Sequence, residues 1–202
     1  MKNRLLCLGL AAVCGVVLSD RIAFAQAPDP HAAHAAASGL KKELIEGLTA
    51  ADFLRLSKKP KTVELVIVAA WTPDNYGMNF NGFSRGKAVY TVPQGWNVEV
   101  TFINPSPVPH SAVVVEREMT AKFQVGEPAF KGAAVPSALT GISSAKAAFA
   151  FTADEAGEYA IACGFPSHAV AGHWVALEVS ASATAPSLKL GDAPATPASP
   201  AR

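Results

Sequence analysis

Seven short apolar-rich segments between residues 61 and 181 constrain the fold more than any other feature. They read "KTVELVIVAAW", "KAVYTV", "NVEVTFIN", "HSAVVVE", "AAFAFTA", "GEYAIACG" and "HWVALEVSA". Each is rich in β-branched or aromatic residues and too short for a packed helix. Turn formers punctuate the stretch in "PDNYG", "PQGW", "NPSPVP" and "DEAG". Short strands at such intervals predict an all-β protein, an antiparallel sandwich or barrel. Upstream, Leu40, Leu44, Ile45 and Leu48 follow helical spacing, so a helical extension is expected over 38–59. "TAAD" at 49–52 has capping-box spacing, which divides that extension into two short helices. The main domain is expected over 60–182. The Ala/Pro-rich segments 26–37 and 183–202 read as a flexible linker and a disordered tail. Arg117 to Lys146 is the least legible stretch, expected to hold long loops and one edge strand.

The N-terminus sets the compartment. "MKNR" is basic, "LLCLGLAAVCGVVL" is an apolar run too short to span a membrane comfortably, and "AFAQA" offers a cleavage site. A signal peptide is expected over 1–25, cut after Ala25, with Ala27 as the alternative site. Val13 precedes Cys14 where a lipoprotein would need a small residue. Export to the periplasm, or otherwise out of the cytoplasm, follows, with no stable membrane insertion after cleavage. Cleavage removes Lys2, Arg4, Arg21 and Asp20, turning 17 basic against 16 acidic side chains into 14 against 15. That balance gives no support to nucleic-acid binding, which needs many cationic contacts to phosphate.

Cleavage also removes Cys7 and Cys14, leaving Cys163 as the one thiol of an exported chain. An intramolecular disulfide is then impossible, so Cys163 is either buried and inert or held by a metal. The stretch "ACGFPSHAVAGHWV" decides for the metal, because His168 and His173 follow Cys163 at intervals of five. Cys163 would end one strand, His173 would begin the next, and His110 follows the Pro-rich loop "NPSPVP". Two neighbouring strand ends could therefore gather His110, Cys163, His168 and His173. A sulfur with imidazoles and a further donor suits one copper ion, Cu(I)/Cu(II). Zinc fits less well, because structural zinc sites use more thiolates.

The stretches "NFNGFSRGKAVYTVPQGWNVEVTFIN", "VPHSAVVV" and "AGEYAIACGFPSHAVAGHWVALEV" resemble the cupredoxins, and within them the sulfocyanin and rusticyanin branch. The resemblance runs from about Lys61 to Ser180. It implies a Greek-key β-sandwich with a mononuclear type 1 copper, and it carries His110, Cys163 and His168 over as strong ligands. The family usually places Met in the axial position, in a "GMW"-like context, whereas this chain has "GHW". Met78 and Met119 lack the expected spacing and read as packing or loop residues. A bound His173 would favour Cu(II), lower the potential, move the spectrum from blue toward green or red, and compete with protons near pH ~6.5. The alternative is that His173 points to solvent over a three-coordinate copper. The resemblance also suggests that Ser111 ties two ligand loops together, while Asn104 reads as a similar tie or a plain turn residue. Phe165, Pro166 and Val170 are expected around the edge of His168, and Trp71, Trp96 and Trp174 as packing.

The function expected is one-electron transport between redox proteins, not enzymatic catalysis. The partner would be a redox protein such as a cytochrome docking near His168, with the chain acting as a monomer. Copper tolerance or sequestration is the competing role, favoured by the axial His and by "HAAH" at 31–34. On a helix His31 and His34 could share a metal; on a disordered arm they are two solvated histidines.

Overall fold

The computed structural model describes residues 39–202. The expected signal peptide, the linker and the His31/His34 pair lie outside the described residues. Among the described residues ten strands form two sheets, the first of four in the order β1-β2-β4-β6 and the second of six in the order β10-β9-β3-β8-β7-β5. The strands are β1 (Leu54–Leu56), β2 (Thr62–Val68), β3 (Ala88–Pro93), β4 (Trp96–Asn104), β5 (Val113–Glu116), β6 (Ala145–Ala153), β7 (Gly157–Ala162), β8 (Trp174–Ser180), β9 (Ser187–Leu190) and β10 (Thr196–Pro197). All seven segments expected as strands are strands. The pairing is mixed rather than purely antiparallel, because β2 runs parallel to β4 and β3 parallel to β8.

Strand alternation builds the core. Val63, Leu65 and Ile67 of β2 and Val98, Val100 and Phe102 of β4 point inward from the first sheet. They meet Ala88, Tyr90 and Val92 of β3, Ile161 of β7 and Val175, Leu177 and Val179 of β8 from the second. Each fully buried Val, Leu, Ile or Phe contributes about 1.5–3 kcal/mol by leaving water, so this shared cluster sets the sandwich. Phe80 meets Phe102 edge-on with centroids 6.2 Å apart, an arrangement the ring quadrupoles favour.

Two expectations are corrected. Within the expected 38–59 extension, the described residues 39–59 are not helical beyond single 3-10 turns at Lys42–Leu44 and Ala50–Asp52, and Leu54–Leu56 joins the first sheet as β1. Gly39 and Gly47 at positive φ break the helical run at both ends. The segment 183–202 is not a disordered tail: Ser187–Leu190 pairs with β3, and Thr196–Pro197 pairs with β9. Between Arg117 and Lys146 there is a 3-10 turn at Arg117–Ala121, followed by a stretch hydrogen-bonded along β5. Ala129 N–H donates to Val114, Val114 N–H to Ala133, and Val135 N–H to Ala112. That stretch takes the place of the expected edge strand. Among the described residues, no helix is long and apolar enough to cross a membrane.

Candidate metal centre

Register and alternation bring three donors to one end of the second sheet. Ala162, the last residue of β7, lies opposite Val113 of β5 and Trp174 of β8. The start of β5, the end of β7 and the start of β8 therefore share one end. Cys163 continues the inward parity of Ile161, and His173 precedes the inward Val175 by two residues. His110 precedes the inward Ala112 and Val114 by the same step. A period of two aims all three side chains between the sheets. Cys163 N–H donates to the His173 carbonyl at 3.0 Å, which fixes two of these positions against each other.

His168 comes from the turn between β7 and β8. Its N–H donates to the Phe165 carbonyl, and its own carbonyl accepts from His173 N–H at 2.9 Å. Ser167 takes a positive φ of 69° there, and its N–H donates to the Phe123 carbonyl. One donor atom from each of His110, Cys163, His168 and His173 lies within 4.8 Å of the others, and all four residues are buried. The Cys163 Sγ is 3.4 Å from His168 Nδ1.

The surroundings hold these groups in place. Ser111 N–H points at Cys163 Sγ from 3.4 Å, while the Ser111 hydroxyl donates to the Ala138 carbonyl at 2.6 Å and accepts from Gly164 N–H at 2.8 Å. Ser111 thus ties the His110 loop to the Cys163 loop, as the resemblance implies. Asn104 is a tie as well: its Nδ2 donates to the Val108 and Ile142 carbonyls, and Ile142 in turn pairs with His110. His173 Nε2 lies 3.1 Å from the Asn79 carbonyl, and the Phe80 ring packs on the imidazole with centroids 4.3 Å apart. The axial candidate therefore faces the interior, not solvent, at 0% exposure.

Burial pushes the Cys163 thiol up to about 11, against the opposing backbone N–H of Ser111 and Phe165 and the Ser111 hydroxyl. A cation held at Sγ would supply the charge that offsets this and would keep the thiolate. One polarisable sulfur and three imidazoles, buried together with hydrogen-bonded outer groups, fit one copper ion. Met78 is buried and Met119 half-buried, both as packing residues. Trp71 and Trp96 pack on the main core, and Trp174 on the smaller cluster beneath β5 and β7.

Phe165 packs on the His168 imidazole with ring centroids 4.7 Å apart, while Phe123 at 70% exposure and Leu139 and Val170 at 47% each are large apolar side chains open to solvent. Phe165 was legible beside His168. Phe123 and Leu139 were not, because their backbone nears the ligand loops only through the Ser167–Phe123 bond and through Ala138 meeting Ser111.

A two-sheet Greek-key sandwich with a buried Cys/His cluster at one end, of a kind that suits copper, defines a cupredoxin, a type 1 copper protein with one copper ion as cofactor. Residues 49–189 match the model of the Sulfocyanin (SoxE) domain. A sulfocyanin from Sulfolobus acidocaldarius is 34% identical over 139 residues, covering 64% of this chain and 69% of that protein. The chain belongs to the sulfocyanin family. Among solved structures it is similar to auracyanin A, a "blue" copper protein from Chloroflexus aurantiacus (22% identity, TM-score 0.39, 59% of this chain and 99% of that one). It is also similar to reduced rusticyanin (22% identity, TM-score 0.37, 66% and 87%).

Proposed function

We propose that this chain is an exported one-electron carrier in which His110, Cys163, His168 and His173 hold the copper. The observation that carries the reading is the packing of these four buried donors within 4.8 Å at one end of the sandwich. Cys163 and His173 flank paired strands, and Ser111 and Asn104 tie the loops of the others, so little rearrangement accompanies a change of copper charge. Copper supplies the reversible electron; the protein supplies the fixed donors and a dry surround.

His168 is the least enclosed of the four, at 5% exposure against 1% or less for the rest. Phe165 packs on its ring, and exposed apolar side chains stand on segments joined to the ligand loops: Val170 two residues on, Phe123 through the Ser167 bond, and Leu139 beside Ala138. A small apolar contact suits brief docking of a redox protein such as a cytochrome, with the electron passing at the His168 edge. The carrier acts as a monomer, reaches the periplasm through a signal peptide cut after Ala25, and has no catalytic residues.

Copper titration of the purified mature chain tests the reading, followed by visible absorption and electron paramagnetic resonance. One equivalent should bind and produce an intense thiolate-to-copper band that Cys163→Ser abolishes. Failure to bind a stoichiometric ion, or a band that survives the loss of sulfur, would refute it. Mass measurement of the exported protein checks the cleavage site.

A further inference from the structure

The motif "NFNG" at 79–82 sits more than 90 positions before His173 yet reaches it directly. A carbonyl oxygen only accepts, so the 3.1 Å contact with the Asn79 carbonyl requires the proton on His173 Nε2. A neutral imidazole with its proton there carries its lone pair on Nδ1. The same carbonyl also accepts from Ala70 N–H at 3.1 Å, so it has two donors.

The Asn79 side chain fixes where that carbonyl points. Its Nδ2 donates to the Thr72 and Asp74 carbonyls, both at 2.8 Å. Its Oδ1 accepts from Gly82 N–H at 3.2 Å and Thr72 N–H at 3.4 Å. The fully buried amide therefore uses both faces to wrap the 72–82 loop around itself. Two residues on, Asn81 anchors the loop to the sandwich: its Oδ1 accepts from Val68 N–H, and its Nδ2 donates to the Val66 carbonyl and the Tyr90 hydroxyl. Phe80, between the two asparagines, presses its ring on the imidazole.

We propose that Asn79 is a positioning residue for the metal centre: its clamped loop presents a carbonyl that holds His173 in the Nε2–H tautomer, with Nδ1 as the copper donor. The proposal rests on the reading of His173 as a ligand. Such an outer hydrogen bond orients a ligand imidazole and raises its basicity. It also explains how an imidazole occupies a place usually given to a thioether, which has no proton to satisfy.

Nitrogen-15 nuclear magnetic resonance of the full chain tests this, copper-free and loaded with diamagnetic Cu(I). The expected result is a single His173 tautomer with its proton on Nε2 in both states and an Nδ1 signal that shifts with copper. A copper-free ring protonated on Nδ1, or a mixture of the two tautomers, would overturn the proposal. An Nε2 proton with an Nδ1 that ignores copper would remove His173 from the ligand set, and the proposal with it, while leaving the other three donors untouched. In Asn79→Ala the Nε2 proton should exchange with solvent about tenfold faster or more, as local opening eases, and the second tautomer should appear. A folded variant with unchanged exchange and tautomer would also overturn the proposal. If the variant does not fold, the wild-type tautomer decides alone.

Discussion

On the proposed reading His173 gives its two nitrogens different tasks, one toward copper and one toward the Asn79 carbonyl, and a thioether cannot perform both. Replacing it, as in His173→Met, removes the proton that the Asn79 carbonyl accepts and puts a softer donor near copper. A softer, weaker donor favours Cu(I). The reduction potential should rise and the absorption should move toward blue, as voltammetry and visible spectroscopy would record. A potential that stays put or falls would mean that His173 does not contact copper. Ser111 makes a separate residue-scale case. Its hydroxyl serves Ala138 and Gly164 at once, in a buried position. Ser111→Ala strands both backbone groups, and the cost should be about 1–3 kcal/mol in urea unfolding. Copper should still bind, because the Ser111 N–H facing Cys163 Sγ belongs to the backbone.

At the scale of elements, what the sequence disclosed depended on how far each signal travels. β-Branched and aromatic runs such as that holding Val98, Val100 and Phe102 are local signals bounded by turn formers, so the central strands were legible from the sequence. The four donors were legible because three lie within eleven residues and the fourth follows a Pro-rich turn. "SLKL" also alternates, but four residues amid Ala and Pro carry too little signal; its partner β3 makes it a strand. The Leu40–Leu48 spacing misled because glycines stop the helix before it can propagate. Asn79 was illegible because its contact with His173 exists only after the sheets close. Gly86 shows a comparable long-range dependence. It has a φ of +71°, and a Cβ there would stand 2.5 Å from the Trp174 ring at the head of β8. Its N–H donates to the Trp174 carbonyl, and Arg85 N–H to that of Gly172, so this turn braces the exit of the ligand loop. Gly86→Ala should cost about 3 kcal/mol from left-handed strain and overpacking. Chemical unfolding would give the loss, and near-ultraviolet circular dichroism should register displaced tryptophan.

At the scale of the whole molecule, the C-terminal residues join the two sheets. β10 lies in the second sheet, and a few residues later Ser199 bridges to β1 of the first. Ser199 accepts from Leu56 N–H and donates to the Leu54 carbonyl. Asp52, 3% exposed, anchors this junction. It accepts from the Thr49 N–H and hydroxyl, from Arg55 at 2.9 Å, and from Arg202 at 2.6 Å. Burial alone would push the Asp52 carboxyl up, but the Thr49 N–H, Arg55, the Thr49 hydroxyl and Arg202 together outweigh it and hold the carboxyl below its ordinary range. In the unfolded chain it titrates near ~3.9. The folded state thus binds this proton more weakly than the unfolded state does. The stabilisation is complete above that value and is lost as pH falls through the lowered folded one. Asp52→Asn should therefore be less stable at neutral pH by about 2–3 kcal/mol. The gap between the urea stability curves of wild type and variant should begin to close as pH falls below the unfolded value of ~3.9 and keep closing until the lowered folded carboxyl is protonated. Other carboxylates titrate in both proteins, so the difference between the curves isolates Asp52. A gap that stays constant through the acid range would show that this junction is held by the Ser199 backbone bonds to β1 and not by this charge.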